Sequence, residues 1–308
     1  MLFQVAFCLA MMKYDQPLFR PPSESNSLLI QITLGCSHNK CIFCGMYQTK
    51  KFKVKTLEEI TSDIADAKKY YERSLEVPTK AFFCDGDAMA APFELILATM
   101  EIIKKEFPMI TRFSIYASAL NIIRKDQTQL HLMKQAGLSL CYIGLESGSD
   151  EVLQLIKKGN TKEEIILACN RLSDGKIKIS LIALLGIGGV GHSLLHAKET
   201  AEAVTKIAPE FLSFLTVTVV PHTALDVLIR KNKFSVLSHK ELLMEMQAII
   251  EAIELKDKRI IFRANHVSNN FPLAGVLAKD KEKMLGVIRR WIEECPDNTY
   301  PDLDYRCL

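Results

Sequence analysis

Six short β-rich apolar runs alternate with amphipathic helical stretches along most of this 308-residue chain, and that alternation restricts the fold more than any other feature. The runs lie at 29–33 (LIQIT), 80–84 (KAFFC), 112–117 (RFSIYA), 138–145 (LSLCYIGL), 178–185 and 211–219. Between them the spacing predicts helices over 57–70, with Leu57, Ile60, Ile64 and Ala67 on one face, then over 93–105, 125–136, 150–157, 162–172 and 192–207. Two more helices are predicted over 240–254 and 280–294. Repeated strand–helix units without a run of hairpins call for a parallel sheet with right-handed crossovers. Strands apolar through most of their length fit a sheet covered on both faces. A Rossmann sheet wants G-x-G-x-x-G after its first strand; here Gly35-Cys36-Ser37-His38-Asn39-Lys40-Cys41 follows instead. The expected fold class is therefore α/β, a partial (β/α)6 TIM-like barrel with parallel strands and a helical C-terminal extension. Residues 1–27 read as a tail and lead-in, 28–236 as the barrel core and 237–308 as the extension packed on it. In such folds chemistry sits at the C-terminal ends of the strands.

Charge and composition narrow the function. Lys and Arg number 39 against 36 Asp and Glu, a net charge of +3, which makes no electrostatic case for nucleic acid or an anionic membrane. No uncharged apolar run reaches the ~18 residues of a transmembrane helix. Residues 1–12 are apolar and uncharged but lack a basic start and a small-residue cleavage site. They are expected to be a loose tail, or to precede a true start at Met12, which places the chain in the cytoplasm. In a reducing compartment, cysteines are for metal binding more than for disulfides.

Three of the nine cysteines, Cys36, Cys41 and Cys44, form C-x4-C-x2-C directly after the first strand. Thiolates at such spacing hold iron–sulfur clusters, and three ligands leave one iron of a [4Fe–4S] cluster open. Zinc is the competing reading, with His38 as a fourth ligand, and buried structural cysteines are a third. Cys84, Cys141 and Cys169 fall in predicted strands and helices, where packing is the default; Cys8, Cys295 and Cys307 form no second cluster motif.

The segment 35–44, with Phe43 before the last cysteine, resembles the cluster loop of the radical S-adenosylmethionine (SAM) superfamily, whose usual spacing is C-x3-C-x2-C. The first gap here holds one residue more. Asp85-Gly86-Asp87-Ala88 stands where that superfamily carries Gly-Gly-Glu-Pro: Gly86 matches the second Gly and Asp87 the Glu, while Asp85 and Ala88 depart. Gly144-Leu145-Glu146-Ser147-Gly148 resembles the segment of the Elp3/MiaB/NifB-like branch, and Gly186-Ile187-Gly188-Gly189 its turn beside adenine. Residues 262–270 (FRANHVSNN) are similar to a stretch in small members of that branch.

The resemblance implies an enzyme that reductively cleaves SAM at a [4Fe–4S] cluster to a 5′-deoxyadenosyl radical and abstracts hydrogen from a small-molecule substrate. Cys36, Cys41 and Cys44 would hold the cluster, and Phe43, Gly86, Asp87, Ser118, Glu146 and Gly186 would bind SAM. Its implied partners are SAM, a substrate and a low-potential electron donor such as flavodoxin or ferredoxin. The alternative is a non-catalytic zinc- or iron–sulfur-binding sensor on the same scaffold. Asp87 could instead cap a helix, and residues 146–150 could be only a turn and cap. His222, Arg263, Asn265 and His266 are substrate-pocket candidates, and Tyr116 and Tyr142 could shape that pocket or simply pack. His192 and His196, at i, i+4 without a third ligand, read as surface histidines, and Arg20-Pro21-Pro22-Ser23-Glu24 as a stiff connector.

Overall fold

Leu and Ile at every second position bury one face of Lys178–Leu185, where Ile179, Leu181, Ala183 and Leu185 are all nearly inaccessible. That run forms the strand its pattern predicts. The computed structural model describes residues 13–74, 76–255 and 258–301. Among these the strands are β1 (Leu28–Ile30), β2 (Thr33–Leu34), β3 (Lys53–Val54), β4 (Lys80–Phe83), β5 (Arg112–Tyr116), β6 (Leu138–Glu146), β7 (Lys178–Leu185), β8 (Phe211–Thr216), β9 (Ile261–Ala264) and β10 (Leu273–Val276). Eight of them follow one another in the order β1-β4-β5-β6-β7-β8-β9-β10, while β2 and β3 form a separate pair. The pairings β1–β4, β4–β5, β5–β6, β7–β8 and β8–β9 are parallel, and β9–β10 is antiparallel. Sequential parallel strands joined by helices are the topology of a partial TIM-like barrel.

The helices are α1 (Leu57–Tyr71), α2 (Phe93–Glu106), α3 (Ala119–Ile123), α4 (Gln127–Gln135), α5 (Asp150–Leu155), α6 (Lys162–Asp174), α7 (Gly189–Ile207), α8 (Ala224–Arg230), α9 (His239–Ala252) and α10 (Leu277–Glu294). Thr56, Asp126 and Ser238 open α1, α4 and α9 with reciprocal capping boxes, which satisfy otherwise orphaned N–H groups. None of the described helices is long and apolar enough to cross a membrane.

Three expectations change. The run at 29–33 is cut, because Gln31 turns its amide to Asp15 and Asp85 while Thr33–Leu34 pairs with Lys53–Val54. The C-terminal part is not helical alone: Ile261–Ala264 and Leu273–Val276 add two strands to the sheet. The short helices α3 and α8 also escape the periodicity, although Ser118 and Thr223 cap them. Cys8, Cys307 and the proposed tail at 1–12 lie outside the described residues.

The chain divides into two compact units, one of residues 1–39, 46–142 and 171–178, the other of 40–45, 143–170 and 179–308. In the first unit, Phe82, Tyr116 and Tyr142 meet edge-on with ring centroids 4.9–5.8 Å apart. Leu18 from the lead-in packs against this group. The two tyrosines thus pack. The lead-in is more than a connector: its buried Glu24 accepts from the Tyr142 hydroxyl at 2.6 Å and also from Ser27. Burial and the adjacent carboxylate push the Tyr142 hydroxyl well above the usual phenol range.

In the second unit, Leu181, Leu212, Phe214 and Phe262 form the buried side of the sheet, and Phe214 meets Phe262 edge-on at 5.0 Å. Helix α9 packs on both α7 and α10. The opposite side of the sheet carries the cross-strand row Ile182, Ser213, Arg263 and Ala274. Arg263 and Ala274 of that row are exposed.

Candidate functional site

In the first unit the turn after β4 is built around Cys36. Asp85 is inaccessible and accepts from the Gly35 amide at 2.7 Å, the Gln31 side chain at 2.9 Å and Lys50 Nζ at 3.0 Å. It stands where the superfamily has glycine and keeps a glycine-like backbone, with φ +67°; Asp is among the few residues that tolerate this region. Gly86 donates its amide to the Gly35 carbonyl at 2.9 Å. A Cβ on Gly86 would lie 2.6 Å from Cys36 Cβ and 2.9 Å from the Tyr47 ring. Glycine is required there because the cysteine loop rests directly on it.

Asp87 precedes a 3-10 turn, Ala88–Ala90, but makes no capping bond to it. Its carboxylate instead accepts from the Ser118 amide (3.0 Å), from Asn121 (2.6 Å) and from Ser37, the residue after Cys36. The helix-cap reading of Asp87 is therefore replaced by that of a hub joining the loop to the end of β5. Ser118 caps α3, accepting from the Asn121 amide.

In the second unit, residues 40–45 complete the loop. Ile42 donates its amide to the Ile156 carbonyl at 3.0 Å and accepts from the Leu225 amide at 2.9 Å, so backbone bonds pin the segment on both sides. Cys36, Cys41, Cys44 and Phe43 are all partly exposed, whereas Cys84, Cys141, Cys169 and Cys295 are buried. Burial pushes the Cys169 thiol up to about 12 and that of Cys84 further upward. Partly exposed thiols on a pinned loop, with soft sulfur donors, suit an iron–sulfur cluster. Among the described residues no three His, Cys, Asp or Glu side chains are gathered for a single metal ion. The assignment thus rests on donor chemistry and loop seating, without a preformed ion cage.

Glu146 ends β6 with φ +59° and pairs with Lys158 at 2.7 Å. Its carboxylate folds back over its own strand, and Gly144 leaves the room: a Cβ there would meet Glu146 Oε1 at 2.0 Å. Gly186 follows β7 with φ +78° and donates its amide to Glu245 at 2.6 Å. A small pocket adjoins this turn, lined by Leu185, Thr216, Leu242, Met246 and Asn269 among others. Leu185 and Thr216 belong to the buried, helix-covered side of the sheet.

His196 is inaccessible, which corrects its reading as a surface histidine; His192 remains half-buried, 3.1 Å from Glu151. His222 is exposed, with its amide on Asp226, and Asn265 is exposed. His266 bonds Ser268 within the β9–β10 turn. Sequence reasoning missed Lys50, Ser37, Asn121, Lys158 and Glu245. The second turn of α9, where Glu245 lies, and the polar residues after Cys36 carried no motif to mark them.

Comparison with known proteins matches residues 30–203 to the Radical SAM superfamily. No curated protein sequence matches the chain. Among solved structures it is similar to Elp3 of the archaeon Methanocaldococcus infernus, at 14% identity and a TM-score of 0.51, covering 77% of this chain and 59% of that one. It is also similar to methylornithine synthase (PylB), at 14% identity and a TM-score of 0.52, covering 90% and 82%. Coproporphyrinogen III oxidase (HemN) from Escherichia coli gives 18% identity and a TM-score of 0.54, covering 80% and 55%. The chain therefore spans little more than half the length of the Elp3 and HemN chains. At these identities the likeness shows the fold, while the family match spans more than half of the sequence. The chain is a member of the radical SAM superfamily, enzymes that bind a [4Fe–4S] cluster and SAM.

Proposed function

We propose that this enzyme holds a [4Fe–4S] cluster on Cys36, Cys41 and Cys44, binds SAM at the ends of β4 to β7, and abstracts hydrogen from a small anionic substrate. The observation that carries the reading is the seating of Cys36 on Gly86, which leaves no room for any side chain at that turn. Together the bound cluster and SAM supply one-electron cleavage of the sulfonium and a 5′-deoxyadenosyl radical.

The protein's own part is orientation and exclusion of water. Asp87 spends three hydrogen bonds on Ser37, Ser118 and Asn121. About one of a carboxylate's four lone-pair positions then remains for the SAM ammonium. Glu146 offers two oxygens to the ribose hydroxyls, with Lys158 holding one of them in place. Gly186 allows a flat base close to the backbone, and Phe43 offers an apolar ring. Ser118 would supply a ribose or substrate contact.

For the substrate, Arg263 is the feature that matters. Arg263 is exposed, pairs with Ser213 across the sheet, and its guanidinium donates only to the Phe262 carbonyl among the described residues. Arginine suits a carboxylate or phosphate in bidentate geometry. A low-potential donor such as flavodoxin or ferredoxin would deliver the electron, in the cytoplasm. Nothing in the arrangement favours a non-catalytic sensor.

Anaerobic incubation with SAM and dithionite should release 5′-deoxyadenosine, and Cys41→Ala should abolish that release without unfolding the chain. Retained cleavage in this variant would contradict the ligand assignment, and none in the wild type would favour the sensor. Gly86→Ala should lower cluster incorporation by about tenfold or more, as loss of a ligand-orienting contact does, read as iron and sulfide per chain after reconstitution. Arg263→Gln should leave uncoupled 5′-deoxyadenosine formation unchanged but weaken binding of carboxylate or phosphate compounds on the order of 10- to 100-fold. Thermal-shift screening checks this, and ligands bound equally by both proteins would exclude the arginine.

A further inference from the structure

The second unit buries an acid and a histidine that the functions above do not use. Glu245, on α9, is almost inaccessible. One carboxylate oxygen accepts the Gly186 amide at 2.6 Å, and the other accepts the Ser193 hydroxyl of α7. His196 Nε2, also on α7, lies 3.7 Å from Glu245 Oε1 and has no hydrogen-bond partner among the described residues.

The other ring nitrogen reaches the opposite turn. His196 Nδ1 lies 2.8 Å from Ser147 Oγ and 3.3 Å from Thr200 Oγ1. Ser147 Oγ accepts the Ser149 amide at 3.0 Å, and Thr200 Oγ1 accepts the Gly148 amide at 2.9 Å. Burial holds the imidazole neutral, with its pKa down at about 4, so one ring nitrogen accepts and the other donates. With Nδ1 between two hydroxyls as the acceptor, the Nε2–H faces Glu245. The imidazole thus stands between the Glu245 carboxylate, 3.7 Å away, and the two hydroxyls that receive the Ser149 and Gly148 amides, so buried polar contacts run from the turn at Gly186 to the turn at Gly148.

We propose that Glu245 and His196 are positioning residues that hold the turns after β6 and β7 in register, so that the nucleoside of SAM meets a preformed cradle. The proposal rests on the assignment of these two turns to ribose and adenine. Neither residue touches SAM. Both act through backbone amides, Gly186 on one side and Gly148 and Ser149 on the other. Burial raises the Glu245 carboxyl to about 7, consistent with an acid kept for its hydrogen bonds inside an apolar surround.

The test uses the chain without its cluster and 5′-methylthioadenosine as the probe, measured by calorimetric titration, so that cluster loss cannot affect the result. Glu245→Gln keeps an acceptor for the Gly186 amide and should bind within about threefold of wild type, whereas Glu245→Leu should bind roughly 5- to 100-fold more weakly, as expected when buried donors lose their partner. Thr200→Val strips the acceptor from the Gly148 amide at the far end and should weaken binding over the same range; it serves if Glu245→Leu does not fold. Folded Glu245→Leu or Thr200→Val with wild-type affinity would overturn the proposal. A wild type that binds no nucleoside would overturn the assignment of the turns themselves, and this proposal with it.

Discussion

A single buried carboxylate organises the cysteine turn of the first unit. Asp85 has no exposed surface, yet three donors converge on it: the Gly35 amide, the Gln31 side chain and Lys50. Lys50 is itself nearly buried and bonds the Asp15 carbonyl at 2.7 Å. Breaking a buried pair of this kind by removing one partner typically costs about 3–5 kcal/mol, which is comparable with the stability of many whole domains. The start of the cysteine loop and the end of β4 therefore behave as one piece. The reciprocal bond from Gly86 to Gly35 closes it.

Thiol chemistry divides along burial. Cys84 and Cys169 lie where desolvation disfavours the thiolate, so they stay protonated and pack as small apolar groups. Cys36, Cys41 and Cys44 are partly exposed on a loop whose backbone is tied down at Gly35 and Ile42. Iron needs the thiolate form, which partial exposure favours over burial. Each unit has strand-end turns with residues at positive φ, Asp85 in one and Glu146 and Gly186 in the other. Each turn is held by groups distant in sequence.

Local signals in the sequence recovered what local physics determines. Apolar runs located β4 to β8 within a few residues, and the glycine at 86 was legible from its match to the superfamily segment; the structure adds the reason, since a Cβ there would meet Cys36. What escaped has long-range causes. Lys50 and Glu245 are defined by partners 35 and 59 residues away, which no spacing rule reveals. Asp87 read as a SAM contact with a helix cap as the alternative; of the two, the cap is replaced by tertiary donors from Ser118 and Asn121. His196 looked superficial beside His192. Yet Ala197, Thr200, Ala201 and Val204 line the same buried face of α7, and their spacing could have placed it inside. The strands β9 and β10 were hidden by polar residues such as Arg263, which alternate with Phe262 and Ala264 across a sheet with one exposed side.

The proposed chemistry requires a cluster held by three cysteines with one iron left for SAM. Electron paramagnetic resonance of the anaerobically reconstituted, dithionite-reduced protein, recorded before and after addition of SAM, tests this most directly. Iron and sulfide in the proportions of a [4Fe–4S] cluster are expected, with a reduced signal whose g-values shift when SAM binds. A cluster signal indifferent to SAM, or stoichiometric zinc with no cluster signal, would contradict it.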